Sequence, residues 1–281
     1  GTGFINSIDE ARAGPIALGN PAGYNAEVWI PPGVGTYYIE FTVVLNSTGN
    51  PVEAGFYIFL FDITVANSIT NTAIPGRLYS QGWQFDGIHC SPKFFIYSSD
   101  SIITSVELND MHGGYWHLFC NQTGVGTTGN FYEDRKSRLN EFVFLPEYNI
   151  FLNEPDSVLF PPTTALGQIY GDVNVQPYCD GTIDFSVNVD KSGSVHIELT
   201  FDPPFVTRVL QENVNVGTNI ISWDGYDGTQ PESLPVPNGT NVTFSTSYIN
   251  GLTNLPLCRV NANDSGFVIE LVNPPGSSPI V

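Results

Sequence analysis

Ile183-Asp184-Phe185-Ser186-Val187-Asn188-Val189-Asp190-Lys191-Ser192-Gly193-Ser194-Val195-His196-Ile197-Glu198-Leu199-Thr200-Phe201-Asp202 is the stretch that decides the fold class. Ile183, Phe185, Val187 and Val189 alternate with Asp184, Ser186, Asn188 and Asp190. Val195, Ile197, Leu199 and Phe201 alternate in the same way with His196, Glu198, Thr200 and Asp202. A period of two sends alternate side chains to opposite faces of an extended chain, as in antiparallel strands with one wet face. Lys191-Ser192-Gly193 reads as the turn between the two runs. On this reading His196 lies on the solvated face.

Outward from this stretch the same period recurs. Tyr37, Ile39, Phe41, Val43 and Leu45 alternate with Tyr38, Glu40, Thr42 and Val44. Pro31-Pro32-Gly33, Thr48-Gly49-Asn50-Pro51, Asp202-Pro203-Pro204 and Asn238-Gly239 punctuate the runs as turns. No long segment has a helical repeat, and Asp9-Glu10-Ala11-Arg12-Ala13 suits a single turn. The expectation is an all-β protein of two tandem antiparallel β-sandwich domains, 1–160 and 161–281. Their junction is placed near Phe160-Pro161-Pro162-Thr163-Thr164, because a proline pair cannot donate to a strand ladder.

Gly217-Thr218-Asn219-Ile220-Ile221-Ser222-Trp223-Asp224-Gly225-Tyr226-Asp227-Gly228 is followed by the turn Pro237-Asn238-Gly239 and a strand from Val242. This pattern resembles the Ig-like module of flagellar hook-capping proteins. It is also similar to modules of gliding-motility and type IX-secreted surface adhesins of Bacteroidetes-type bacteria. The resemblance spans about residues 165–275 and rests on Gly217, Asn219, Trp223, Asp224, Gly225, Asp227, Pro237, Asn238 and Gly239. It implies an Ig-like or fibronectin-III-like second domain with Trp223 in its core, on a bacterial cell surface. Asn241 stands where the family usually has an aromatic residue. Asn273-Pro274-Pro275 follows the last strand where a basic residue is common, which favours an internal module. Residues 1–160 carry no such resemblance.

The 281 residues hold 9 Lys and Arg against 28 Asp and Glu, a net charge of −19. The halves share it: −10 over residues 1–160 and −9 over 161–281. So few cations argue against nucleic-acid binding and against docking on anionic lipid. The longest apolar run, Phe56-Tyr57-Ile58-Phe59-Leu60-Phe61, is far too short to span a bilayer, so membrane insertion is not expected. The start at Gly1-Thr2-Gly3 reads as a mature product or an excised piece, next to further domains of a longer chain. Four widely spaced cysteines fit two disulfides in an exported protein, with Cys90–Cys120 and Cys179–Cys258 as the favoured pairs. Asn-x-Ser/Thr triplets at Asn46, Asn121, Asn238, Asn241 and Asn263 are read as chance in an Asn-, Ser- and Thr-rich chain.

Asp224 and Asp227 are candidate Ca²⁺ ligands, since carboxylates in a tight loop are hard donors, although turn capping is the simpler role. No cofactor is otherwise expected. His89-Cys90 and Met111-His112-Gly113-Gly114-Tyr115-Trp116-His117-Leu118-Phe119-Cys120 collect three histidines and two cysteines that could ligate zinc, in no finger spacing. Glu133-Asp134-Arg135-Lys136-Ser137-Arg138 reads as a solvated loop with local ion pairs. Trp29, Trp83 and Trp116 are candidate stacking platforms for sugar rings, with core packing as the alternative. No nucleophile elbow, zincin helix or phosphate loop occurs, so an enzyme is not expected. The expected role is a non-catalytic extracellular module of a bacterial surface adhesin, contacting surface glycans or other surface components. The alternatives are a carbohydrate-binding accessory module and a viral or phage capsid or fibre protein.

Overall fold

An extended segment points its backbone N–H and C=O groups sideways, so every strand needs a neighbour. In the computed structural model of this chain, all ladders between named strands are antiparallel. The structure describes residues 5–40, 48, 62–85, 89–112, 116–128, 133–137, 143–229, 232–250, 253–258, 262–263 and 265–275. Helix is about 5% of the chain, so the protein is all-β. No helix among the described residues is long and apolar enough to cross a membrane. The chain divides into two compact units, 1–78 and 79–281.

In the first unit, Ser7 caps α1 (Ile8–Ala13), its hydroxyl accepting from the Glu10 amide at 3.2 Å. Gly14 ends the helix at φ 82°, a conformation open to glycine. Gly23 packs so closely that a Cβ there would lie 1.7 Å from the Gly14 carbonyl oxygen. Tyr24 is buried and donates to Asp62 at 2.6 Å. Residues 25–40 form no strand and bend at 32–35. Tyr37–Glu40, the start of an expected strand, belongs to that run, and the rest of that strand, 41–45, lies outside the described residues.

The strands of the second unit are β1 (Tyr79–Ser80), β2 (Gly82–Phe85), β3 (Lys93–Tyr97), β4 (Ile103–Leu108), β5 (Met111–His112), β6 (Trp116–Phe119), β7 (Asn149–Phe151), β8 (Asn174–Pro177), β9 (Ile183–Val189), β10 (Gly193–Phe201), β11 (Arg208–Val214), β12 (Gly217–Trp223), β13 (Val242–Ile249), β14 (Leu257–Cys258), β15 (Ala262–Asn263) and β16 (Phe267–Asn273). β9 and β10 follow each other in sequence but join different three-stranded sheets, β12-β9-β8 and β11-β10-β13. The inward set of each run meets in one core: Phe185, Val187 and Val189 with Val195, Ile197, Leu199 and Phe201, closed by Ile221 and Trp223. A second core gathers Phe94, Ile96, Val106, Leu108, Met111, Leu118, Cys120, Tyr148 and Ile150. It lies chiefly within the five-stranded sheet β1-β7-β3-β4-β16 and the β14-β6-β2 sheet.

The chain returns late to this second core. Asn254 bridges Asn121, Leu257 pairs with Leu118, Ala262 with His112 and Phe267 with Leu108. The described residues among 254–273 thus pair antiparallel with those among 103–121 in nearly constant register. The Phe160-Pro161-Pro162 segment, expected at a junction, lies inside the 79–281 unit and is tied to the first sheet. Phe160 packs on Phe151 and Tyr79 at 4.9 and 5.7 Å, and Tyr97 donates to the Pro161 carbonyl at 3.0 Å.

Two polar expectations differ from the structure. His196 is not solvated but 7% exposed, because β10 is a central strand whose polar face is covered at Ser194 and His196. Burial, and then the nearby Arg135 guanidinium, hold the His196 pKa below the ordinary histidine value. The Glu133–Ser137 turn is not a freely solvated loop either. Asp134 is buried and accepts from the Thr128 amide and hydroxyl at 2.8 and 2.9 Å. Arg135 donates to Asn254 Oδ1 at 3.0 Å and to the Gln122 carbonyl. Lys136 and Glu133 make the expected local ion pair, at 2.5 Å.

Candidate functional site

Backbone pairing builds the densest group of chemistry-bearing side chains. Cys90 and Met111 exchange both backbone hydrogen bonds, at 3.0 and 2.9 Å. That register sets His89 directly across from His112, and Ser91 across from Asp110. Asp110 and His112, two apart, share one face. The result is visible in the side chains. The His89 and His112 rings stack at 4.7 Å between centroids with 19° between planes, and His89 Nδ1 lies 2.8 Å from Asp110 Oδ1. His112 Nδ1 lies 3.2 Å from the Asp110 carbonyl oxygen.

Asp110 organises the group. It sits at φ 49°, a left-handed turn conformation that Asp tolerates, and the Ser91 hydroxyl receives its amide at 3.0 Å. Its carboxylate and its carbonyl can only accept, so both imidazoles donate from Nδ1. One residue thereby orients both imidazole rings through their Nδ1 atoms. Among the described residues, His89, Asp110 and His112 form a group whose ligating atoms all lie within 4.8 Å of one another.

The other residues of the expected zinc set do not join them. Cys120 is fully buried in the second core, and Cys90 packs against the same core, on the strand face opposite His89. His117 faces the Phe144 ring at 6.4 Å. The expected disulfides are absent: Cys90, Cys120 and Cys179 are free thiols. Cys179 lies in an exposed turn after β8, whereas Cys258 belongs to β14, which pairs with β6 in the other core system. The pairing was expected inside one domain, and the return of the C-terminal strands removes that premise. Burial pushes the Cys120 and Cys90 thiols up. Iodoacetamide should therefore label Cys179 in the folded protein and leave Cys120 unlabelled until denaturant is added, as read by peptide mass spectrometry. Labelling of Cys120 as fast as Cys179 would contradict its burial.

The candidate calcium ligands part company. Asp227 is 0% exposed and its carboxylate accepts from protein donors on both oxygens. Oδ1 accepts from the Thr229 and Leu234 amides at 3.1 and 2.7 Å; Oδ2 accepts from the Val206 amide and the Thr229 hydroxyl at 3.0 and 2.7 Å. Asp224 instead faces solvent, accepts from the Tyr226 amide at 3.1 Å and lies 3.6 Å from Arg208. It lines a shallow open cleft with Tyr178, Asp180, Thr182, Asp184 and Ser222. Hydroxyls of Tyr178 and Ser222 already donate to Asp184, at 2.9 and 2.6 Å. Among the described residues, Asp224 and Asp227 belong to no group of three metal-ligating side chains. This geometry favours turn capping.

Trp29 and Trp83 belong to different units of the chain. Trp29, 65% exposed, meets Tyr37 edge-on at 5.0 Å in the first unit. Trp83 packs against the second core and donates to the Ile150 carbonyl at 3.4 Å. The side chain of Trp116 lies outside the described residues. Asn121, one of the triplet asparagines, is fully buried: its amide donates to the Gly124 and Leu145 carbonyls at 2.8 and 3.0 Å and accepts from the Gly124 amide at 2.7 Å. That closed turn is why asparagine stands there. Sequence reasoning noticed the histidines but not Asp110. The alternation Asp110-Met111-His112 was the signal that could have found it. No protein-family model matches the chain, no curated protein matches it, and no solved structure matches its fold.

Proposed function

We propose that this chain is a non-catalytic extracellular module of a bacterial cell-surface adhesin, of the gliding-motility-associated kind, that acts in surface adhesion. The observation that carries the reading is an exposed apolar run in the first unit. Val28, Trp29, Ile30, Val34, Tyr38 and Ile39 all stand in solvent, and contiguous exposed apolar surface marks interaction sites. In this reading the region of β8 to β13 is an Ig-like sandwich serving as a rigid spacer between neighbouring domains. Two sheets around one core, with Trp223 inside, support that assignment. The free thiols lend the exported setting no support, so it rests on the resemblance of residues 165–275 and on the scarcity of basic side chains.

Beads coated with the chain should be retained on bacterial cells or on glass under flow, and the Trp29→Ala/Tyr38→Ala double variant should lose several-fold of that retention. Retention no greater than that of beads coated with an inert protein overturns the reading. The Trp29–Tyr37 pair favours a second reading, a carbohydrate-binding accessory module in which the indole stacks on a sugar ring. It fails if a broad polysaccharide panel shows no binding.

A further inference from the structure

We propose that His89, Asp110 and His112 form a binding site for a divalent transition-metal ion, with zinc as the representative cation. The site is independent of the adhesion reading. Two imidazoles and one carboxylate are a donor set suited to zinc, iron, cobalt or nickel. The three residues come from two backbone-paired segments, so the pairing that makes the ribbon also brings the donors together.

The His89–Asp110 distance fits two ligands of one ion. His89 Nδ1 and Asp110 Oδ1, 2.8 Å apart, now share one hydrogen. Two ligands bound cis at about 2.0–2.1 Å lie about 3 Å apart, so the same pair spans one edge of a coordination shell. The His89 and His112 rings are stacked, 4.7 Å between centroids and 19° between planes, so one ring turns out of the stack to point its nitrogen at an ion the other also binds. The three ligating atoms lie within 4.8 Å of one another, on side chains that are exposed or half-buried. An ion bound at His89 Nδ1 requires that ring's proton on Nε2, so on binding the proton passes through solvent from Nδ1 to Nε2 and the ligand set is neutral imidazole, carboxylate and neutral imidazole. The remaining coordination positions face solvent, since the His89 side chain is 68% exposed.

Cys90, next in sequence to His89, lies on the opposite strand face and takes no part. Ala262 pairs with His112 on its other side. That strand position brings no competing donor.

The test is equilibrium dialysis of tag-free chain 1–281 against Zn²⁺, with the visible spectrum of Co²⁺ as a second readout. One equivalent should bind with a micromolar dissociation constant, and Co²⁺ should show bands of a nitrogen- and oxygen-ligated site. His89→Ala, His112→Ala and Asp110→Asn should each weaken binding at least tenfold, while His117→Ala leaves it unchanged. Absence of saturable binding at 1 mM Zn²⁺ overturns the proposal, and so does binding that survives His89→Ala within threefold. His89 is exposed, so its variant should unfold at the same denaturant concentration as the parent in chelated buffer. If His112→Ala does not fold, His89→Ala and the Co²⁺ spectrum decide.

Discussion

Asp227→Ala should lower the unfolding free energy of the 79–281 unit by about 4 kcal/mol. The carboxylate joins three separate pieces of chain. It takes the amide of Val206 from the loop after β10, the amide and hydroxyl of Thr229 from its own turn, and the amide of Leu234 from the segment beyond. Alanine leaves three backbone donors facing a buried space, and an unmade hydrogen bond to a charged acceptor costs more than one between neutral groups. Asp227→Asn keeps the shape and one acceptor but turns an amide against a donor, so about half the loss is expected. Burial by itself pushes the Asp227 carboxyl up; the donors from Val206, Thr229 and Leu234 more than reverse this and leave it well below the usual carboxylate range. As pH falls, the unfolded chain, with a pKa of about 3.9, takes up this proton before the folded one does. The contribution is therefore fully present above about pH 5 and is lost as pH drops through about 4 towards the folded value. Urea unfolding at pH 7 and at pH 3.5 checks both parts: the gap between parent and Asp227→Ala should shrink at the lower pH. An equal gap at both values would contradict the assignment.

Trp223→Ala should cost about 3–5 kcal/mol, the range for deleting a large buried aromatic side chain. The indole is 3% exposed, stacks on Phe201 at 5.5 Å with 29° between planes, and donates from Nε1 to the Tyr226 carbonyl at 2.7 Å. One residue thus links the two sheets through their core and fastens the turn that carries Asp227. Trp223→Phe keeps much of the packing and removes the donor, so a smaller loss of about 1–2 kcal/mol is expected from the lost hydrogen bond and the reduced packing. Midpoints of denaturant unfolding followed by circular dichroism measure both. A Trp223→Ala loss below about 1 kcal/mol would mean that the core around Phe185, Ile197 and Leu199 closes without it.

The period of two was enough to assign faces. Phe185, Val187, Val189, Val195, Ile197, Leu199 and Phe201 are inside as their alternation requires. It was not enough to choose neighbours. Alternation is a property of one strand, whereas pairing depends on which other edges are open, so nothing local reveals that β9 and β10 join different sheets. His196 illustrates the same limit, because its face was correct and its cover came from elsewhere in the chain. The disulfide expectation failed through topology: spacing in sequence said that Cys179 and Cys258 were companions, and β14 carried Cys258 to another sheet. For the histidine group the residue types were visible, but the organising Asp110 became evident only with the Cys90–Met111 register.

The ribbon of residues 254–273 along 103–121 has a consequence for the order in which the molecule is made. β4 receives one neighbour, β3, from the adjoining sequence, but its other edge stays unpaired until β16 has been synthesised, well over a hundred residues later. Closing so long a loop is entropically slow, and an uncovered strand edge attracts other chains meanwhile. Fragments ending near residue 160 would keep that edge open permanently. Folding of the second core therefore waits for translation, or export, of the far end of the ribbon, and expression vectors that stop short of it should yield aggregates instead of a half-protein.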